Sequence, residues 1–535
     1  MSNFRRLGIM LDMSRNGVMK VEQLKRFLDV MHKMGYNCLE LYTEDTYEVE
    51  GEPFFGYMRG RFTAKEIKEV DAYAASLGIE LIPCIQTLAH FTALVNNRAY
   101  CNLVDANDIL LVDEPRTYEL IENIFKTLAK NFSSRIVNIG MDEAHMVGLG
   151  NYLDKHGFVD RTELLLRHLN RVADIAKKYG FRAHMWSDMF YRLAHGGNNY
   201  TEGLSSEIAA KIPDNVDLVY WDYYHSQKSY YDKSFASHQA ISPNTWFAGG
   251  AWAWDGFAPL NWYTQQTMKP AIQSAQENGV KDVLITVWGD NGRECSPFML
   301  LPSFYAISQY AKGNFNLQSI KDGFAETFGL DFDAYMLLDL PNNVGVDVYD
   351  AFGDKRQHAA AKSLLYMDVF MGLFDKELDS IAPVPFDDYA KQLSVVKNSM
   401  GEYAYLFDNM QAFCEVLSVK ATLGIRTRKA YRADDKATLL ALADEYQEVI
   451  ARVEKFHATH YTLWNTECKP QGWEVQDARL GGLMRRMQTC RQRLLDYVNG
   501  SLPILEELEE ETLLTSEKID LECNYWQHLI TRSLI

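Results

Sequence analysis

"HKMGYNCLELYT", residues 32–43, decides how the first part of this chain folds. A helix-favouring start stops at Gly35, and an apolar, β-prone run begins within three residues of it. Glycine readily takes the left-handed conformation that ends a helix, so the stretch reads as helix, C-cap and strand. The same grammar returns in "ASLGIELIPCI" (75–85), "KKYGFRAHMW" (177–186) and "QENGVKDVLITVW" (276–288), with Gly78, Gly180 and Gly279 at the junctions.

The segments between these passages are amphipathic. In 161–179, Leu165, Leu169, Val172 and Ala176 share one helical face at offsets of 0, 4, 7 and 11, the pattern of a helix covering a sheet. Strands are predicted over 7–12, 37–43, 79–85, 135–140, 181–186, 216–222, 245–250 and 282–288. Alternating strands and helices on this scale predict a closed parallel (β/α)8 TIM barrel, which takes about 250 residues plus loop insertions. A doubly wound open sheet is the alternative, weakened by the lack of G-x-G-x-x-G after the first strand.

Beyond residue 312 the pattern turns helical, with long amphipathic stretches at 358–378, 437–460, 480–500 and 501–522. The predicted organisation is therefore an α/β barrel over 1–312 followed by an all-α C-terminal domain over 313–535. The acidic run 506–511 reads as a solvated helix face.

A chain of 535 residues exceeds the roughly 250–300 at which single cores stop growing, so more than one domain is expected. Hydrophobic content of 47% against 24% charged residues excludes a largely disordered chain. The net charge of -18 disfavours nucleic acid, which needs a basic footprint. The apolar run near the N-terminus is broken at Asp12, too short for a signal peptide, and no stretch approaches the about 20 apolar residues of a spanning helix. The eight cysteines show no C-x-x-C spacing, which argues against a zinc site or disulfide framework. A cytoplasmic protein with no membrane partner is expected.

In a barrel of this kind catalytic groups come from the C-terminal ends of the strands, whose loops share one mouth. Strand 1 delivers Asp12 and Arg15, strand 3 His90, and strand 4 Asp142, Glu143 and His145. Strand 5 delivers Trp186 and Asp188, and strand 6 Tyr220, Asp222, Tyr223 and Tyr224. Strand 7 leads to Trp252 and Trp254, and strand 8 to Trp288, Asp290 and Glu294. Indole walls with interspersed carboxylates suit pyranose rings, offering faces to C–H patches and acceptors to hydroxyls. Singly, each residue also fits a structural role: the tryptophans as core, Asp12 and Asp188 as loop caps or partners of Arg15 and Arg192, and His90 and His145 as satisfied histidines. The pair Asp142-Glu143 equally fits the cap of a following helix. Two adjacent carboxylates resist simultaneous ionisation, so one can hold a proton near neutrality while the other stays charged.

These passages resemble the family 20 glycoside hydrolases, the β-N-acetylhexosaminidases, over residues 1–310. "GMDE" is similar to that family's Gly-x-Asp-Glu signature, "LDMSR" to its strand 1 arginine motif, and "YWD" and "WGD" to its strand 6 and strand 8 motifs. The helical tail resembles the bacterial branch with a helical C-terminal domain. The resemblance implies an exo-acting, retaining hydrolysis of terminal β-linked GlcNAc or GalNAc. The substrate's own acetamido oxygen attacks the anomeric carbon to give an oxazolinium ion. It implies that Asp142 binds the acetamido N–H, that Glu143 is acid and then base, and that Tyr220 donates to the acetamido oxygen, with Tyr223 and Tyr224 as alternatives. It implies sugar contacts from Arg15, His90, Asp222, Tyr224 and Asp290, and pocket walls from Trp186, Trp252, Trp254 and Trp288. Asn138 stands where many members have His, and Met141 where Gly or Ala is common. Trp464 and Trp473 in the tail read as packing residues or as contributors to a sugar site.

No cofactor and no metal are expected, and the partner is a small glycan ending in an N-acetylhexosamine. A homodimer is compatible with the resemblance, since in some relatives a second subunit completes the sugar site. Two other readings stand beside it: a metal-dependent sugar isomerase or epimerase using His90, Glu143 and Asp188 as ligands, and a non-catalytic sugar-binding barrel.

Overall fold

The computed structural model describes residues 3–344, 347–349, 355–357, 360–379, 383–513, 525–531 and 533. Eight parallel strands close in sequential order: β1 (Arg6–Asp12), β2 (Cys38–Tyr42), β3 (Glu80–Cys84), β4 (Ile136–Asn138), β5 (Arg182–Trp186), β6 (Val216–Trp221), β7 (Trp246–Gly250) and β8 (Asp282–Val287). β8 pairs with β1 from Asp282↔Arg6 to Val287↔Leu11, which closes the barrel. Each of the eight predicted strand ranges holds one of these strands, and the four glycine-ended junctions precede β2, β3, β5 and β8.

Each strand is followed by a covering helix: α1 (Val21–Met34), α2 (Ala64–Ser76), α3 (Pro115–Asn131), α4 (Arg161–Lys178), α5 (Asp188–His195), α6 (Lys228–Gln239), α7 (Asn261–Glu277) and α8 (Leu301–Tyr310). Gly35 ends α1 at φ 88°, with its N–H donating to the carbonyls of Met31 and His32. Thr63 and Glu66 form a reciprocal capping box at the start of α2. Along α4, Leu165, Leu169, Val172 and Ala176 are all buried, as their spacing requires.

Strand side chains alternate between the two faces of the barrel wall. The inner face carries Met10, Cys38, Tyr42, Ile82, Cys84, Trp186, Val219, Trp246, Ala248 and Leu284 as one buried cluster, against which Trp221 and Trp288 pack. Deeper in the same interior, His184 Nε2 lies 2.8 Å from Glu40 Oε1, both essentially inaccessible. Asn138 Nδ2 also donates to Glu40, at 3.4 Å.

The chain divides into two compact units. One comprises Met1–Ala251, Thr264–Trp288 and Ser303–Ile320; the other comprises Trp252–Tyr263, Gly289–Pro302 and Lys321–Ile535. In the second, three long helices pack in succession, α9 (Ala404–Arg432), α10 (Lys436–Glu467) and α11 (Trp473–Val498). Trp464 and Trp473 are buried against each other with Cys468, and the Trp464 indole donates to the Lys469 carbonyl at 3.0 Å.

The predicted helix over 501–522 is corrected. Only Glu506–Glu509 is helical in its described part, because Leu505 and Leu508 are buried while Glu506 and Glu507 reach Arg493. Residues 514–522 lie outside the described residues. The 358–378 stretch forms two short helices, Ala360–Tyr366 and Asp375–Leu378, because the Asp368 carboxylate accepts the Phe370 and Met371 amides and closes a turn between them. Among the described residues none of the cysteines is in a disulfide, and no helix is long and apolar enough to cross a membrane.

Candidate active site

The loop after β4 departs from regular geometry at several successive residues. Gly140 and Met141 both have φ 70°, and Glu143 has φ 51°. A Cβ on Gly140 would meet Gln86 Oε1 at 2.1 Å and the Ile85 carbonyl at 2.8 Å, so only glycine fits there. Met141 and Glu143 adopt a left-handed conformation that costs free energy for an L-residue and persists only where neighbours fix it. For Met141 the neighbour is Gln86, whose Oε1 accepts its amide at 3.2 Å.

Gln86 also ties this loop to its carboxylate. Its Nε2 donates to Asp142 Oδ1 at 2.8 Å and to the Tyr42 hydroxyl at 3.0 Å. On the other side His90 Nε2 lies 3.1 Å from Asp142 Oδ2 and 3.7 Å from Glu143 Oε2. Burial opposes a charge on His90, yet the neighbouring Asp142 raises it to about 10, so it is an imidazolium at neutral pH. Burial likewise disfavours the Asp142 carboxylate, but His90 and Gln86 hold it below the ordinary range. Glu143 moves the opposite way: partial burial, then the adjacent Asp142 charge, raise its proton affinity. Its side chain remains 49% exposed, opening to solvent. The two neighbours thus shift in opposite directions, Asp142 toward the anion and Glu143 toward the acid form.

Aromatic rings border these acids. Trp288 meets Tyr42 edge to face at 4.8 Å and lies 6.0 Å from Trp186, ring centre to ring centre. The Trp288 indole donates to the Tyr223 hydroxyl at 3.1 Å, and Tyr223 stacks on Trp221 at 5.2 Å. Arg15 lies over Tyr42 and Trp288, 3.0 Å from Asp12 Oδ2 and 3.4 Å from Glu44 Oε1. Burial raises the Glu44 carboxyl while Arg15 opposes it.

Arg15, His90, Trp186, Trp288, Asp142 and Glu143 are therefore brought together, as their positions at strand ends predict. Tyr220 is not. It faces outward onto α6, with Phe235 at 5.4 Å and His238 at 4.8 Å, and its hydroxyl donates to Asp222 Oδ2 at 2.8 Å. Asp222 is occupied in the turn after β6, where it accepts the Tyr224 amide at 3.0 Å and pairs with His225 Nδ1 at 2.7 Å. The half-buried Tyr224 ring lies 5.7 Å from Tyr223. Trp252, Trp254 and Asp290 belong to the other compact unit, where the two indoles stack at 4.4 Å and Trp252 packs on Tyr263.

Sequence reasoning missed Glu44, Gln86 and Tyr42. The end of β2 carries its own acidic signal, "LYTED", and Gln86 falls two residues past Cys84 on the inward-facing parity. Among the described residues no three His, Cys, Asp or Glu side chains form a metal-holding group.

A family model described as "Glycosyl hydrolase family 20, catalytic domain" matches residues 4–282, and "Glycoside Hydrolase 20C C-terminal domain" matches residues 333–525. Hexosaminidase D of Homo sapiens is 24% identical over 214 residues, covering 38% of this chain and 42% of that protein. A β-hexosaminidase of Akkermansia muciniphila is 27% identical over 169 residues, covering 26% of this chain and 34% of that protein. The matched stretch thus spans less than half the length of either relative. The solved β-N-acetylhexosaminidase of Bacteroides fragilis aligns at a TM-score of 0.46 and 21% identity, covering 62% of this chain and 71% of that one.

Proposed function

The chain belongs to glycosyl hydrolase family 20, and on that premise we propose that it is an exo-acting, retaining β-N-acetylhexosaminidase whose nucleophile is the substrate's own acetamido group. The observation that carries the reading is the divergence of two adjacent carboxyls: Asp142 is held toward its ionised form by His90 and Gln86, and Glu143 beside it is pushed toward its protonated form.

A terminal N-acetylhexosamine enters with one ring face on the indole wall. Asp142 accepts a hydrogen bond from the acetamido N–H, which turns the carbonyl oxygen toward the anomeric carbon. As that oxygen attacks, positive charge develops on the oxazolinium ring and the buried Asp142 carboxylate stabilises it. Glu143 delivers its proton to the glycosidic oxygen as the bond to the aglycone breaks, then takes a proton from the water that opens the ring. Two displacements at one carbon retain the anomeric configuration. We assign the acetamido oxygen contact to Tyr223, because Tyr220 faces α6 while Tyr223 touches Trp288. Arg15 is assigned to the outer hydroxyls on the strength of its family motif.

We also propose a reducing, cytoplasmic compartment, in keeping with eight cysteines scattered through the sequence without C-x-x-C spacing. The reaction is tested by comparing release of 4-nitrophenol from the β-N-acetylglucosaminide and from the plain β-glucoside. Hydrolysis of the first and not the second is expected; equal rates would remove the acetamido group from the mechanism.

A further inference from the structure

Asp188 takes no step in the reaction above, yet it is built against the acid. It opens α5 directly after β5 and is fully buried. Its Oδ2 accepts the backbone N–H of Glu143 at 2.9 Å. Glu143 is one of the left-handed residues of the β4 loop, and its carbonyl in turn accepts the His145 amide at 2.5 Å. A residue in that conformation stays there only if its surroundings over-determine it, and the Asp188 carboxylate is a contact that does so.

The other groups that act on the pair are few. Asp142 and Glu143 face Asp188 from the β4 loop, and the Trp221 indole of β6 favours its charged form. Tyr200, from the segment after α5, feels its charge. Arg192, one helical turn beyond Asp188, and His90 and Arg15 act on Glu143 from the cationic side. None of the cationic groups is within ion-pair distance of Asp188 among the described residues.

We propose that Asp188 is a positioning residue for the catalytic acid: it fixes Glu143 in its left-handed turn by accepting the backbone amide. This rests on Glu143 being the proton donor. Burial, then the charge of Asp142, push the Asp188 carboxyl up to about 7, and the charge of Glu143 adds to that rise. The part Asp188 plays is that of its acceptor oxygen, which holds the Glu143 amide with the carboxyl charged or neutral, so an amide side chain at this position keeps it.

The test is kcat/KM of wild type, Asp188→Asn and Asp188→Ala on phenyl and on 2,4-dinitrophenyl β-N-acetylglucosaminide. Asparagine keeps an oxygen that accepts the Glu143 amide; alanine does not. Asp188→Asn is expected to stay close to wild type on both substrates. Asp188→Ala is expected to lose about tenfold or more on the phenyl glycoside, as a displaced acid would, and much less on the dinitrophenyl one, which leaves without a proton. Equal losses in the two variants, or a loss in Asp188→Ala that is the same for both leaving groups, would overturn the proposal. If Asp188→Asn does not fold, the reciprocal measurement decides: a carbon-13 titration of the Asp188 carboxyl in wild type and in Glu143→Gln. A lower midpoint in the variant is expected, and an unchanged one contradicts it. Wild type inactive on any N-acetylhexosaminide would sink the parent reading as well, whereas an active wild type with either overturning pattern sinks this inference alone.

Discussion

His90 Nε2 and Asp142 Oδ2 lie 3.1 Å apart, so the carboxylate next to the acid carries its own counter-ion. That pairing lowers the Asp142 pKa against the pull of burial. In the proposed mechanism Asp142 works as the anion, so activity is expected to fall as pH drops through its folded value. Replacing His90 by Gln removes the cation and raises that value. The acid limb of kcat/KM is then expected to move to higher pH; a limb at the wild-type position would show that His90 does not act through Asp142.

Glu143→Gln keeps the shape of the side chain and removes the proton. General acid catalysis typically contributes about 10²- to 10⁴-fold, so hydrolysis of a disaccharide should fall by that order. A nitrophenolate leaves without help, and its release should fall much less. Rates measured on both substrates separate the roles: equal losses would mean that Glu143 does something other than protonate the leaving oxygen.

The two tyrosines of the β6 end make opposite predictions. Tyr220→Phe loses a buried hydrogen bond to Asp222 at 2.8 Å and should cost about 1 kcal/mol of stability in urea unfolding, with little change in kcat/KM. Tyr223→Phe loses the hydrogen bond from the Trp288 indole, at a similar cost in stability, and should in addition lower kcat/KM. The reverse pattern would return the acetamido contact to Tyr220.

Deep in the barrel, His184 and Glu40 face each other at 2.8 Å with essentially no exposure. Breaking a buried pair by removing one partner strands the other, typically at about 3–5 kcal/mol. His184→Leu is expected to lower the unfolding free energy by that order. A change below about 1 kcal/mol would mean that the contact between them does not stabilise the fold.

The barrel was legible because its signal is local: a glycine that ends a helix, then a β-prone run, in four well-marked copies. The acids at the end of β4 were legible for the same reason, since Asp142 and Glu143 are neighbours in the chain. How they are held was less so: His90 and Asp188 were read as strand-end residues, but their contacts with the pair were not, and Gln86 was missed. Gln86, His90 and Asp188 reach the dyad only because closure brings β3 and β5 beside β4. Tyr220 is a different case. Trp221 and Tyr223 share the inward parity, and Tyr220 the outward one, so alternation along β6 was enough to exclude it. In the helical region, Leu505 and Leu508 sit at helical spacing but bury from a single turn of helix, which periodicity alone does not distinguish from a long one.

The most direct test of an amide nucleophile is a series of 4-nitrophenyl glycosides whose acetamido methyl carries none, one, two or three fluorines. Each fluorine draws electron density from the carbonyl oxygen without touching the leaving group. The account predicts that kcat/KM falls steeply and progressively along the series. A rate indifferent to fluorination would mean that some other group attacks the anomeric carbon.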